Sequence, residues 1–458
     1  MRRRKADLTR RVNGPLHIEF CAEGLTSFAG LELLIRYFRQ IDFNRRLARH
    51  LGGMHLPTDF GVVAIVRLLL ALIILGGRRV RHLQFLDGDP LVHRFCGLQK
   101  IPTARTIGRW MTRFDARAVQ QIAAFNADLV ADQIAALPLR TLTIDVDGTV
   151  VSTGLSAERA FRGYNPHHRK VPSYFPILAH LGDTGHVMRV KNRSGNVHDG
   201  VKSITFLREL FDQVDGTLGK DYRLNFRMDG AFFGQKVLRL LKARNAGYAI
   251  KVPFWRWLPL RDHIQRRKRW TRITDGVDGF DLVLDVEQWG MTLSVSIYRK
   301  RVGHPTRKNY QLDLFDPDDG TYEYSAVATN LEYSVSELWH FACGRGAQEK
   351  AIAELKSGFA FATVPTAEYG ANSAWQQLSV MAYNITRSFQ IDIGAEIRGR
   401  NRKRTPRPVI RSIQTLRFEL LHRAGQLVRP AGRTTLRLAR NKATESFFKK
   451  ARFWLDVA

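Results

Sequence analysis

The chain has 458 residues, 44% of them hydrophobic, which allows two or three domains with a sizeable core and excludes global disorder. Its 72 Lys and Arg against 42 Asp and Glu leave a formal charge of +30, a long-range field that favours polyanions, nucleic acid first and an anionic membrane surface second. Three widely separated cysteines, Cys21, Cys96 and Cys343, exclude a disulfide framework and a zinc pattern and fit a reducing, cytoplasmic setting.

The opening MRRRKADLTRR has no apolar stretch, so it is expected to be a basic arm or tail and not a signal peptide. Between Gly30 and Leu51 the apolar residues Leu31, Leu33, Leu34, Ile35, Phe38 and Leu47 predict amphipathic helix. Gly61 to Gly77 is the most apolar run, but it contains Arg67 and falls short of the ~20 residues a membrane span needs. It reads as a buried core helix. Two further helical stretches follow Ile101. The first opens on Pro102-Thr103-Ala104-Arg105-Thr106, which is similar to the start of a recognition helix, and Arg105, Arg109 and Arg113 recur at i, i+4 and i+8. One cationic face would then follow a DNA groove. Residues 1–135 are therefore expected to form an all-helical DNA-binding domain.

The pattern changes at Leu139. LRTLTIDVDGTVVST alternates and is β-branched, so it predicts a strand with Asp145 and Asp147 on one face. Strands at SYFPILAHLG and GHVMRVKNRSG, a helix at HDGVKSITFLRELFDQV, a strand ending in Asp229, a helix at QKVLRLLKARN and a strand at GYAIKVPF complete an alternating α/β unit over 136–253. Residues 254–320 are expected to be a mostly β insertion, with a basic, aromatic start and a hairpin at DLVLDVEQWGMTLSVSIYRKR. The α/β unit resumes over 321–395, with a strand at TYEYSAVATNLE and a long amphipathic helix at SAWQQLSVMAYNITRSFQIDI. The rest, 396–458, is a basic C-terminal segment. From 398 it holds 17 Lys and Arg against three acids, Glu419, Glu445 and Asp456, and its RGRNRKRTPRP run reads as a linker or tail riding on DNA.

The stretch CGRGAQEKAIAELK, Cys343 to Lys356, is the centre of the functional reading. As a helix it places Arg345, Glu349 and Lys356 in one narrow stripe, with Glu354 on another face. Together with Asp145 or Asp147 from the first strand and Asp229 from a later one, Glu349 gives three carboxylates. Carboxylate oxygens suit hard divalent ions such as Mg²⁺ or Mn²⁺, and two such ions can activate an attacking oxygen and neutralise a leaving one. Arg345 and Lys356 would hold the phosphate. His167 and His168 have no Cys or His partner at ligand spacing and are not read as a metal site. Cys343 reads as a packing residue, not a nucleophile.

IDVDGTVV, GYNPHHRKVPSYFPILAHLGDTGHVMRVKNRSGN, FRMDGAFFG, GYAIKV, YSAVATNLE and GRGAQEKAIAELKSGF, spread over residues 140–360, together resemble DDE transposases of the IS4 superfamily, closest to the IS1380 family. The superfamily signature Tyr-x2-Arg-x3-Glu-x6-Lys is matched by Arg345, Glu349 and Lys356, with Ala342 where Tyr is usual and Phe341 beside it. The resemblance implies an RNase H-like catalytic core in two parts, interrupted by the β insertion. It also implies Mg²⁺-dependent cutting at terminal inverted repeats, with two ions that Mn²⁺ can replace, and joining of the freed 3′-hydroxyl to target DNA. Double-stranded DNA and a homodimeric synaptic complex are the implied partners, and the bacterial cytoplasm, on the nucleoid when DNA-bound, is the implied location. Asp229 becomes the second acid and Glu349 the third. The first is Asp147, which fits the Asp-x-Thr pattern of relatives, with Asp145 as the alternative. In relatives the insertion stacks an aromatic residue on a flipped base. Trp255, Trp257, Trp270 and Trp289 are the candidates here, and Arg266, Arg267, Lys268 and Arg269 beside Trp270 single out that loop for DNA contact. Two other functions stay open: a catalytically impaired DNA-binding descendant, and another RNase H-fold nuclease.

Overall fold

A computed structural model describes residues 16–21, 23–154, 156–163, 165, 170–197, 200, 202–302, 322–394, 397–398 and 407–456. The expected basic arm before residue 16, His167, His168 and most of the RGRNRKRTPRP run lie outside them.

Helices come first: α1 Leu31–Gln40, α2 Phe43–Leu51, α3 Val62–Ile74, α4 Pro90–Cys96, α5 Ala104–Met111 and α6 Ala116–Ala135. The helix expected from Gly30 to Leu51 is broken at Asp42, whose φ of 50° turns the chain between α1 and α2. Every residue of α3 from Leu68 to Ile74 is buried, as its unbroken apolar run requires. Its Arg67 is accommodated by Asn44 Oδ1 at 3.1 Å and by the rings of Phe38 and Phe95. No described helix is long and apolar enough to cross a membrane.

The sheet is built from β1 Thr141–Gly148, β2 Ile177–Leu181, β3 Val187–Lys191, then α7 Ser203–Thr217, β4 Arg223–Met228, α8 Gln235–Ala243 and β5 Gly247–Val252. After α9 Leu260–Arg266 come β6 Thr271–Thr274, β7 Val277–Val286, β8 Met291–Arg301 and β9 Tyr322–Thr329. The strand order is β3-β2-β1-β4-β5-β9-β8-β7-β6. β4 runs parallel to β1 and β5 parallel to β4, whereas β2, β3 and β9 run antiparallel to their neighbours. This is a large mixed α/β sheet. The hairpin expected after Asp281 is β7–β8, in register from Val277↔Lys300 to Val286↔Met291. β9 bonds both β5 and β8, so the strands of the 254–320 segment continue the central sheet edge to edge.

Three helices close the chain's core: α10 Val335–Cys343, α11 Gly346–Gly358 and α12 Tyr369–Asp392. α12 is buried on nearly all sides despite its Asn, Gln and Ser residues. Those side chains have work at the β3 edge. Asn384 both accepts from Val187 N at 2.9 Å and donates to Val187 O at 2.8 Å, and Gln377 donates to Val190 O at 3.0 Å. A helix thus covers the strand edge that would otherwise be open to pairing.

The described part of the basic C-terminal segment is folded onto the rest. Ile413, Leu416, Leu420 and Leu421 fall at helical spacing beneath the arginines, and all four are buried. Arg417 donates to Ile73 O, Ile74 O and Gly358 O, satisfying carbonyls at the ends of α3 and α11. Burial pushes its pKa down to about 10. Beyond it, β10 Gly425–Val428 pairs with β11 Thr435–Leu438 and with Leu25–Thr26, followed by α13 Lys442–Asp456.

Candidate active site

The parallel register of β1 and β4 sets Asp145 against Arg227 and Val146 against Met228. Asp147 and Asp229, one residue further on each strand, therefore stand side by side at the carboxyl ends of two adjacent parallel strands, where the chain leaves the sheet. Asp147 accepts from Gly148 N through Oδ1 at 2.9 Å, and its Oδ2 receives Arg345 Nη1 at 3.2 Å. The two side chains are 19% and 26% exposed. Asp229 caps the turn Gly230–Phe232 by accepting from Ala231 N at 3.0 Å. Asp229 and Arg345 line one cleft of about 190 Å³, with Arg227, Lys251, Trp339 and Ala342 among its walls.

The opposite wall is the α10–α11 pair. Ser334 and Glu337 form a capping box that starts α10, and the chain turns at Gly344 and Arg345 before α11. α11's first turn sits on the sheet through Gln348, which is 2% exposed and donates from Nε2 to Asp145 O at 3.1 Å and towards His180 Nδ1 at 3.2 Å. Lys356 is partly buried; burial lowers its pKa and the Asp147 carboxylate raises it.

The structure thus pairs Asp147 with Arg345 and sets Asp229 in the same cleft as Arg345. It leaves Glu349 exposed, because Gln348 is the residue turned to the sheet. Among the described residues no three His, Cys, Asp or Glu are gathered closely enough to hold a metal ion. Asp147 and Asp229 supply two hard oxygen donors at one solvent-facing edge, which fits a divalent cation; a third donor is not assembled beside them.

Asp145 has a different environment. It is 1% exposed, and Arg227 grips both its oxygens, Nε to Oδ1 at 2.6 Å and Nη2 to Oδ2 at 2.7 Å. Burial raises its pKa, and Arg227 lowers it. Of the expected groove face, Arg105 and Arg109 are exposed on α5. Arg113 lies past its C-terminus and donates to Pro57 O, so the cationic row is one helical turn shorter than the spacing suggests. Arg267 and Lys268 are exposed, with the Arg267 guanidinium 4.5 Å from the Phe280 ring centre. Trp270, expected beside them as a DNA contact, is packed edge-on against Phe280 with Arg299 stacked on its ring. Trp255 and Trp257 are 37% and 39% exposed and stack at 5.3 Å, with Trp289 and Phe233 completing the cluster. Cys343 is exposed; desolvation raises its pKa and Lys300 lowers it by less.

Sequence reasoning missed Arg227 and Gln348. A signal for Arg227 was present: Arg227 precedes Asp229 by two residues as Asp145 precedes Asp147, and parallel strands bring equal spacings into register. Gln348 had none, since Glu349 carried the motif.

Comparison with known proteins adds the following. The family described as "Transposase DDE domain group 1" matches residues 9–272 and 315–456. Among proteins with a curated description, none matches. Among solved structures, a piggyBac transposase synaptic complex with hairpin DNA is similar at 11% identity, over 95% of this chain and 86% of that chain, with a TM-score of 0.45. A Mos1 transposase paired-end complex with left transposon end and a pre-cleavage Mos1 transpososome each share 11% identity over 66% of this chain and 80% of theirs, with TM-scores of 0.19 and 0.17.

Proposed function

The chain belongs to the transposase DDE domain family, group 1, which makes it a DNA-cutting transposase, and from that premise we propose that it cuts at the terminal inverted repeats of an insertion sequence and joins the 3′-OH ends to target DNA. Asp147, Asp229 and Glu349 are its acids. What supports this reading is the parallel register of β1 and β4, which carries Asp147 and Asp229 to adjacent strand ends, and the pairing of Arg345 with Asp147.

Asp147 is the first acid in this reading, because Asp145 has both oxygens committed to Arg227 inside the sheet. DDE domains use divalent metals; we assign Mg²⁺, with Mn²⁺ able to replace it, held by Asp147 and Asp229 and joined by Glu349 from the first turn of α11. When bound, such ions polarise the scissile phosphate and activate the attacking oxygen. The chain's own part is positioning. Arg345 and Lys356 take the phosphate, which replaces Asp147 as the partner of Arg345. Arg105 and Arg109, Arg267 and Lys268, and the exposed faces of Trp255 and Trp257 extend the contact along the DNA.

The motif from Arg345 to Lys356 supports placement in the IS4 superfamily near IS1380. Cutting two ends in concert calls for a homodimer in the synaptic complex, acting in the cytoplasm on the nucleoid. We divide the chain into a DNA-binding domain over 1–135, a catalytic core over 136–253 and 321–395, the insertion over 254–320 and the basic segment over 396–458. A rival reading, a DNA-binding descendant that no longer cuts, draws on Ala342 in the Tyr position and on the outward Glu349. Full-length protein with Mg²⁺ and a duplex carrying the element's ends decides between them. The proposal expects cut and joined products that vanish in Asp229→Asn and Glu349→Gln. Binding without cutting under Mg²⁺ or Mn²⁺ overturns it.

A further inference from the structure

We propose that Arg227 is a positioning residue: clamped by Asp145, its guanidinium holds the α10–α11 turn so that Arg345 stands over Asp147. This rests on the reading of the strand ends given above. Arg227 is 4% exposed. Beyond its two bonds to Asp145, its Nη1 donates to Phe341 O at 3.0 Å, and its guanidinium lies 5.3 Å from the Phe341 ring centre. Phe341 O belongs to the last turn of α10, where a cation is favoured, and it accepts from Gly344 N at 3.1 Å as well as from Arg227. The turn presses on Arg227 closely: a Cβ added at Gly344 would overlap Nη1, so glycine is needed there for the approach.

Arg345 lies between two holds. Four residues before it, Phe341 O is fixed by Arg227; three residues after it, Gln348 is fixed by Asp145 O. Both holds lead to Asp145, and Asp145 lies two residues before Asp147 on one strand. The site's cation and the site's first acid are thus referred to the same strand through one buried ion pair.

The energetics separate this role from plain stabilisation. A buried pair often adds nothing over an apolar pair of similar volume, while removing one partner strands a buried charge. Folding alone therefore does not require Asp145 and Arg227. The bond to Phe341 O is what an apolar pair cannot reproduce. Lysine cannot reproduce it either, since one ammonium cannot span Asp145 and the carbonyl as the planar fork does.

The test compares full-length Arg227→Met, Arg227→Lys and the double variant Asp145→Val/Arg227→Met with the wild type. Three quantities are read: melting temperature, hydrogen exchange at the amides of 344–349, and single-turnover cleavage with Mg²⁺ at saturating end-bearing duplex. Arg227→Met melts lower. The double variant recovers the melting temperature, yet its exchange at 344–349 rises about tenfold and its cleavage slows by about a hundredfold with DNA affinity retained. Arg227→Lys falls between. A double variant with wild-type exchange and cleavage overturns the proposal. Should the double variant not fold, unchanged exchange in Arg227→Lys overturns it equally. Failure of the wild type to cleave would sink the proposed function, while the exchange measurement would still decide the role of Arg227.

Discussion

At the β3 edge, Asn384 and Gln377 bond the strand backbone, His186 bonds Ser388, and Gln376 donates to Asn192 Oδ1, all of them buried. At the carboxyl ends of β1 and β4, Asp147 and Asp229 stay partly open to water, and the acid Asp147 leans on a cation, Arg345, that is itself partly exposed. Both regions are polar and both lie on the same sheet. The first uses neutral groups bonded to the β3 backbone and to neighbouring side chains, which ties α12 to the sheet. The second keeps charged groups partly open to water at the strand ends, where an ion and a phosphate can reach them. Neutral buried polarity holds the framework together; charge kept partly in water at a strand end marks a site.

Substitutions should separate the two regions. The largest effect is expected at the strand ends: Asp229→Asn lowers cleavage on the order of a thousandfold while the melting temperature holds or rises. Measuring both on one preparation checks it, and a parallel loss of stability would erase the contrast. At the seam, Asn384→Leu leaves Val187 N and O without partners and should reduce stability by about 3 kcal/mol, read by urea unfolding, with cleavage per folded molecule unchanged.

Acid should act through two buried histidines, His186 at the α12 seam and His180 beneath Gln348. Burial, and then the charge of Arg387, push His180 and His186 down to about 3. Both are neutral when folded, and the unfolded chain takes up protons first, near the ordinary histidine value. Their contribution is fully present above that value and is lost as pH falls from about 6.5 towards 3, at about 2 kcal/mol per histidine by pH 5. Unfolding at pH 7 and pH 5 measures it, and His186→Gln should roughly halve the slope. A flat profile would mean that the seam does not exclude charge.

Smaller effects belong to the DNA contacts. Arg345→Gln should weaken binding of end-bearing duplex by about tenfold and slow cleavage further, as measured by filter binding and by single turnover. Arg105→Ser with Arg109→Ser should lower the slope of log affinity against log salt by about 2, across specific and random duplexes alike.

Much of this was legible beforehand. The alternation at Thr141–Gly148, the hairpin at β7–β8 and the apolar run of α3 are local patterns, and each became the expected element. That Asp147 lies on one strand and Asp229 at the end of another was legible too. What stayed hidden depended on distant partners. Asp145 and Asp147 are equivalent in periodicity and differ only because Arg227 lies opposite one of them. Trp270 looked exposed among four basic residues, yet Phe280 and Arg299, both distant in sequence, cover it. The folding of 407–456 was concealed by charge, which dominates composition while four apolar residues set the packing.

The central claim is that the chemistry belongs to Asp147 and Asp229 and that Asp145 serves the framework. Calorimetric titration of Mn²⁺ into the full-length protein bound to end-bearing duplex tests it in the wild type, Asp145→Asn, Asp147→Asn and Asp229→Asn. The account predicts that Mn²⁺ binding is lost in the last two and kept in Asp145→Asn. Loss in Asp145→Asn with retention in Asp147→Asn would contradict it.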